Sequence, residues 1–350
     1  MNMENYLPGN NKSQPRIPAF NFIRAVCAIG IIINHYSIET NNDALKQFCY
    51  TYASGEGSIG YTLVTVFILV SGALLYYNNG NISDSRKFYL KRIKTIFPSY
   101  YVAYLLALLG LLITNRQYFV NKPIYLFPLS LIGMDGYLSG ILPTWRLIGE
   151  WFIGAIIILY ILYPILARCF YKYSYTFVFL CSSLFIISLN WKMLEENAFR
   201  NIFSLIFSFV LGMVFIRYKV YELPLIGFWA LLTFLAFYII PTGVCINLSA
   251  HIVGIALFVI LFKCGQKVMN IPILEHCINK ISKVSYEMFL IQRIVIVYTL
   301  RMYFPRNILL LLLLLVAVIV VTYIGAVLIQ KLTQCLEKAF KHFIFSTRKK

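Results

Sequence analysis

Apolar runs long enough to cross a bilayer recur from one end of this chain to the other. They lie at 19–37, 59–77, 96–114, 147–167, 174–190, 201–217, 224–241, 247–264, 285–303 and 308–330. A bilayer core about 30 Å thick takes roughly 20 apolar residues in a helix. Of the 350 residues, 60% are hydrophobic and 13% charged, more apolar surface than a soluble domain of this size can hide. The expected fold is an all-α integral membrane protein with about ten transmembrane helices. It reads as one domain over 1–350, with a polar N-terminus at 1–16 and a basic amphipathic tail at 331–350 that would lie along the inner membrane surface. The stretch 123–142 is moderately apolar but broken by Pro, Gly and Asp135. It is expected to be re-entrant or interfacial, with an eleventh span as the alternative.

Charge sets the orientation. With the N-terminus inside, inner segments hold 21 of the 31 lysines and arginines and outer segments hold 8, while Arg24 and Arg293 fall within spans. Every inner loop alternates with a poorer outer one, which places both termini in the cytoplasm. An eleventh span would scramble that alternation. The net charge of +18 resides in loops between apolar segments, so the expected partners are anionic lipid head groups and an anionic substrate, not nucleic acid. The four histidines have no HxxxH or HExxH spacing, and no metal site is expected.

Two ionisable residues stand out in the first span. Arg24 and His35 are eleven positions apart, which returns a helix to within about 20° of the same face, some 16 Å further along. Ionisable groups are costly in lipid and mark function. A neutral imidazole can take a proton from a hydroxyl. Alone, His35 could simply bond a neighbouring helix and Arg24 could snorkel to the inner head groups; their shared stripe favours a task. Glu150 opens the fourth span, where a carboxylate is either an interface residue or the partner that orients a histidine. Lys91, Arg92 and Lys94 precede the third span, where they serve positive-inside topology and can also hold a phosphate or nucleotide. Ser71 and Gly72 are small residues that let helices pack closely. His251 is a second histidine within a span, with no evident partner.

Together these segments resemble the membrane-bound acyltransferase-3 family, the bacterial O-acyltransferases. Arg24 followed by His35 is similar to the family's opening signature. VFILVSG, with Ser71 and Gly72, resembles its second-span motif, and FYLKRIKTIFPSYY its basic run ending in an aromatic and Pro. TWRLIGEWFIGAIIILYILYP, with Trp145 and Glu150, resembles its fourth-span motif. SYEMFLIQ, with Ser285 and Tyr286, resembles its late Ser-Tyr motif. Two positions depart from the pattern: Asn21 stands where the family often has Asp, and Gln292 where it commonly has His.

The resemblance implies a multi-pass protein of the bacterial cytoplasmic membrane. It implies no permanently bound cofactor, with acyl-CoA, most often acetyl-CoA, as co-substrate and a hydroxyl of a saccharide or glycolipid as acceptor. On that reading Arg24, Lys91, Arg92 and Lys94 hold the CoA, His35 is the base and Glu150 orients it. Ser71, Gly72, Trp145, Ser285 and Tyr286 are positional. The rival reading is a transporter or flippase for a polysaccharide or lipid-linked glycan, since broken segments and intramembrane charges also suit transport.

Overall fold

The computed structural model describes residues 15–49, 59–80, 82, 84–114, 122–148, 151–191, 198–240, 243–305 and 307–347, which contain helices and turns and no strand. The first half supplies α1 (Pro18–Thr40), α2 (Asp43–Cys49), α3 (Ile59–Asn79), α4 (Ser85–Thr114), the short α5 (Phe127–Leu131) and α6 (Trp151–Lys172). The second half supplies α7 (Ser174–Ile187), α8 (Ile202–Arg217), α9 (Ile226–Ile239), α10 (Ile246–Val268), α11 (Pro272–Lys283), α12 (Ser285–Met302) and α13 (Ile308–Thr347).

Each of the ten apolar runs coincides with a helix. Six of them, α1, α3, α4, α6, α10 and α13, are long and apolar enough to cross a membrane, while α7, α8 and α9 are shorter at 14, 16 and 14 residues. α12 has 18 residues but carries Glu287, Arg293 and Arg301. Local signals explain the helix ends. Pro18 starts α1, where its missing N–H costs nothing, and Asn41 ends it in the left-handed conformation at φ 53°. Asn201 caps α8 by accepting the Phe203 N–H at 2.9 Å.

The outer faces of α9 and α13 expose large apolar side chains, among them Trp229, Ile239, Leu309 and Leu313, as expected of surfaces that meet lipid. The interior is packed around α3. At its crossing with α8 the two backbones nearly touch: a Cβ on Gly72 would lie 2.0 Å from the Phe209 carbonyl oxygen, and one on Gly212 would lie 2.1 Å from that of Leu69. Gly72 therefore has the packing role that small residues have between membrane helices.

Residues 122–148 form no spanning helix. A 3-10 turn at Ile124–Leu126 leads into the five-residue α5, then turns follow to 148, with Gly133 at φ 71°. Buried Asp135 accepts from Ser130 Oγ at 3.1 Å and from the Gly136 N–H at 2.9 Å. Trp145 Nε1 donates to the Pro123 carbonyl at 3.0 Å, which closes the segment on itself.

Two features differ from the sequence expectation. The segment after α10 contains a further helix, α11, whose Asn279 pairs with Asn21 of α1 at 2.8 Å. The basic tail continues α13 through Thr347 without a break. No Gly or Pro follows Gly325 in this helix, and its residues favour helix.

Candidate functional site

The stripe through Arg24 and His35 opens on two cavities. The larger, about 600 Å³, lies at the Arg24 end, bounded by α1, α3, α4, α6 and α12. Four cations line it: Arg24 from α1, Lys91 and Arg92 from α4, and Lys283 at the end of α11. Arg24 Nη2 donates to Ser285 Oγ at 3.1 Å, and Ser285 in turn donates to the Ser282 carbonyl at 2.9 Å. The Arg92 guanidinium stands 5.7 Å from the Phe88 ring centroid and 5.8 Å from that of Tyr160. Tyr286 hydroxyl donates to the Ile96 carbonyl at 3.2 Å, which ties α12 to α4.

A buried carboxylate, Glu287, also lines this cavity. It accepts from Ser99 Oγ at 2.8 Å, and its charge and that of Arg24 act on one another. The cavity thus has the donors to bind a polyanion, with one internal carboxylate to balance Arg24.

The smaller cavity, about 210 Å³, holds His35 with Asn34 and Glu39 from α1. Asn34 Oδ1 accepts the Gly60 N–H at 3.2 Å and so fixes α1 against the start of α3. Arg146, Arg200 and Arg293 complete its polar wall. Arg293 pairs with Glu39 at 3.6 Å, and the Arg200 guanidinium lies 5.1 Å from the Trp151 ring centroid.

The predicted residues therefore divide into groups. Arg24, Ser71, Lys91, Arg92, Ser285 and Tyr286 share the larger cavity, and His35 lines the smaller. Lys94 does not reach either: helical periodicity puts 91, 92, 95 and 96 on the cavity side of α4 and leaves Ile93 and Lys94 exposed. Ser71 Oγ donates to the Phe67 carbonyl at 2.9 Å, the bond of a helix-lining serine. Trp145 lines neither cavity. Glu150 lies outside the described residues. His251 sits with Nδ1 2.7 Å from the Asn247 carbonyl and Nε2 3.2 Å from the Ser204 carbonyl, walled by Phe185 and Phe199, as a packed core residue.

Sequence reasoning passed over Glu287, although the cost argument that singled out Arg24 applies equally to a carboxylate within the 285–303 run. It also passed over the Glu39–Arg293 pair and Arg200. These come from three distant stretches of chain, and no local spacing links them.

A family model described as an acyltransferase domain matches residues 17–331, nearly the whole of the described chain. No match was found among curated proteins or among solved structures.

Proposed function

We propose, from the premise that this chain belongs to the acyltransferase-3 family, that it moves an acyl group, most often acetyl, from cytoplasmic acyl-CoA to a hydroxyl of a cell-surface or lipid-linked saccharide. Membership makes it a membrane acyltransferase; donor, acceptor and direction are our reading. We take the chain to cross the bacterial cytoplasmic membrane ten times with both termini inside. The observation that carries the reading is the pair of cavities at the two ends of one helical stripe, the larger lined by Arg24, Lys91, Arg92 and Lys283 and the smaller by His35 with three arginines.

The polyanionic head of CoA docks against Lys91, Arg92 and Arg24, since guanidinium and ammonium groups bind phosphate well. The thioester arm runs along α1 toward His35, a distance of about 16 Å by helix rise. His35 takes the proton from the acceptor hydroxyl as its oxygen attacks the thioester carbonyl. The carbon–sulfur bond breaks, the ester forms, and the CoA thiolate leaves with the proton that His35 returns. Glu150 orients the imidazole. Arg146 and Arg200 supply donors for the charge that develops on the carbonyl oxygen.

The test is chemical. Membranes containing the protein and labelled acetyl-CoA should incorporate label into saccharide, and His35→Ala at normal expression should abolish it. Full transfer by His35→Ala sinks the mechanism. Glycan crossing the membrane with no acyl incorporation favours the transporter instead.

A further inference from the structure

The two cavities share aromatic side chains in their walls. Among the residues that line them, Phe152 of α6 and Phe289 of α12 belong to both. Their rings meet edge to face, with centroids 5.2 Å apart and planes at 64°. Phe67 of α3 adds a third ring 5.9 Å from Phe152, on the side of the larger cavity.

The register of the surrounding helices puts these rings across the stripe. On α12, Ser285 lines the larger cavity, Phe289 both and Arg293 the smaller, at steps of four residues or about 6 Å each. On α3, Val64 lines the smaller cavity while Phe67 and Ser71 line the larger. On α1, Arg24 lines the larger and Ile31 the smaller. All these helices pass from one cavity to the other at the level of the phenylalanines.

We propose that Phe152 and Phe289 determine which acyl chain the protein transfers. The inference rests on the acyl-CoA reading above. On that reading a thioester that enters at Arg24 passes between these two rings to reach His35, acyl end first. The smaller cavity, about 210 Å³, must hold acyl group and acceptor hydroxyl together. An apolar slot discriminates by fit, and one methylene changes a specificity ratio about 10–200-fold. Acetyl fits beside the acceptor; each added methylene lengthens the chain and must push Phe152 or Phe289 out of the wall of this cavity.

The experiment compares labelled acetyl-, propionyl- and butyryl-CoA as donors to the saccharide of membranes carrying the full-length protein. The wild type should transfer acetyl at least tenfold better than butyryl. Phe152→Ala or Phe289→Ala should raise the butyryl-to-acetyl ratio of kcat/KM threefold or more. The more conservative Phe152→Leu and Phe289→Leu should raise it in the same direction and carry the test where an alanine variant does not fold. A ratio that changes less than threefold in variants that still transfer acetyl overturns the proposal, as does a wild type that uses butyryl as well as acetyl. A folded wild type that transfers no acyl group from any of the three donors instead overturns the acyl-CoA reading.

Discussion

Arg24 and Ser285 stand 261 positions apart in the chain and meet through a 3.1 Å hydrogen bond at the wall of the larger cavity. The bond joins the first membrane helix to the start of α12, so the residue proposed to bind donor phosphate is held in place by the late Ser-Tyr motif. Removing a hydrogen bond to a charged group costs about 1.5–3 kcal/mol, or about 10–150-fold in affinity. Arg24→Ala is expected to raise KM for acyl-CoA by that factor. Ser285→Ala should cost only a few-fold, and the double variant should fall short of the product of the two. Initial rates against donor concentration check all three.

His35 has a different expected signature. In the proposed mechanism it meets the reacting hydroxyl and not the CoA head, so His35→Gln should lower kcat by about 10²–10⁴-fold and leave KM for acyl-CoA within a few-fold. A large rise in donor KM with kcat intact would place His35 in donor binding instead.

Glu287 is buried against Ser99 and shares its field with Arg24. Removing the carboxyl group leaves the Ser99 hydroxyl without its acceptor inside the bundle, which costs about 1–3 kcal/mol. Glu287→Ala should therefore lower the melting temperature in detergent clearly. Glu287→Gln, which can still accept from Ser99, should lower it less. Equal melting temperatures for the two variants would refute a role for the hydrogen bond.

The α3–α8 contact predicts opposite outcomes for glycines that look alike in the sequence. Gly72→Ala and Gly212→Ala each drive a methyl into a backbone carbonyl near 2 Å, so both should fail to yield monodisperse protein. Gly110→Ala in α4 meets none of the described residues within 4 Å and should be neutral or stabilising by up to about 1 kcal/mol. Size-exclusion profiles and thermal unfolding in detergent check the three variants.

Gln292 is fully buried, and among the described residues neither its amide nitrogen nor its amide oxygen has a hydrogen-bond partner. A buried unsatisfied polar group costs about 1–3 kcal/mol, whereas an apolar side chain of similar shape does not. Gln292→Met is expected to raise the melting temperature. A fall would mean that an ordered water satisfies the amide.

The helices were legible because membrane length and hydropathy act locally: α1 and α3 can each be read from about twenty neighbouring residues. The Arg24–His35 stripe was legible for the same reason, since one helix's periodicity defines it. α11 was not, because PILEHCINKISK is too polar and short to register as a span, and only its docking on Asn21 gives it a place. The two cavities were also hidden. Glu39 meets Arg293, and Phe152 meets Phe289, through tertiary packing that no spacing in the chain encodes. A phenylalanine in an apolar run looks the same whether it faces outward, like Phe228 on the exposed face of α9, or lines both cavities, like Phe289.

The aromatic rings shared by the two cavities also bear on the membrane as an electrical insulator. With water on both sides of Phe152 and Phe289, the transmembrane voltage would fall across the thin layer of these rings in place of the whole bilayer. An ion crossing it would meet a desolvation barrier of several kcal/mol or more. A net charge carried through would gain or lose about 2.3 kcal/mol per 100 mV. The acyl thioester is neutral at its leading end and would sense neither. On the proposed mechanism such a layer would let an acetyl group pass outward while the acceptor's hydroxyl proton returns with the CoA thiol, an exchange that carries no net charge and would not draw on the membrane potential.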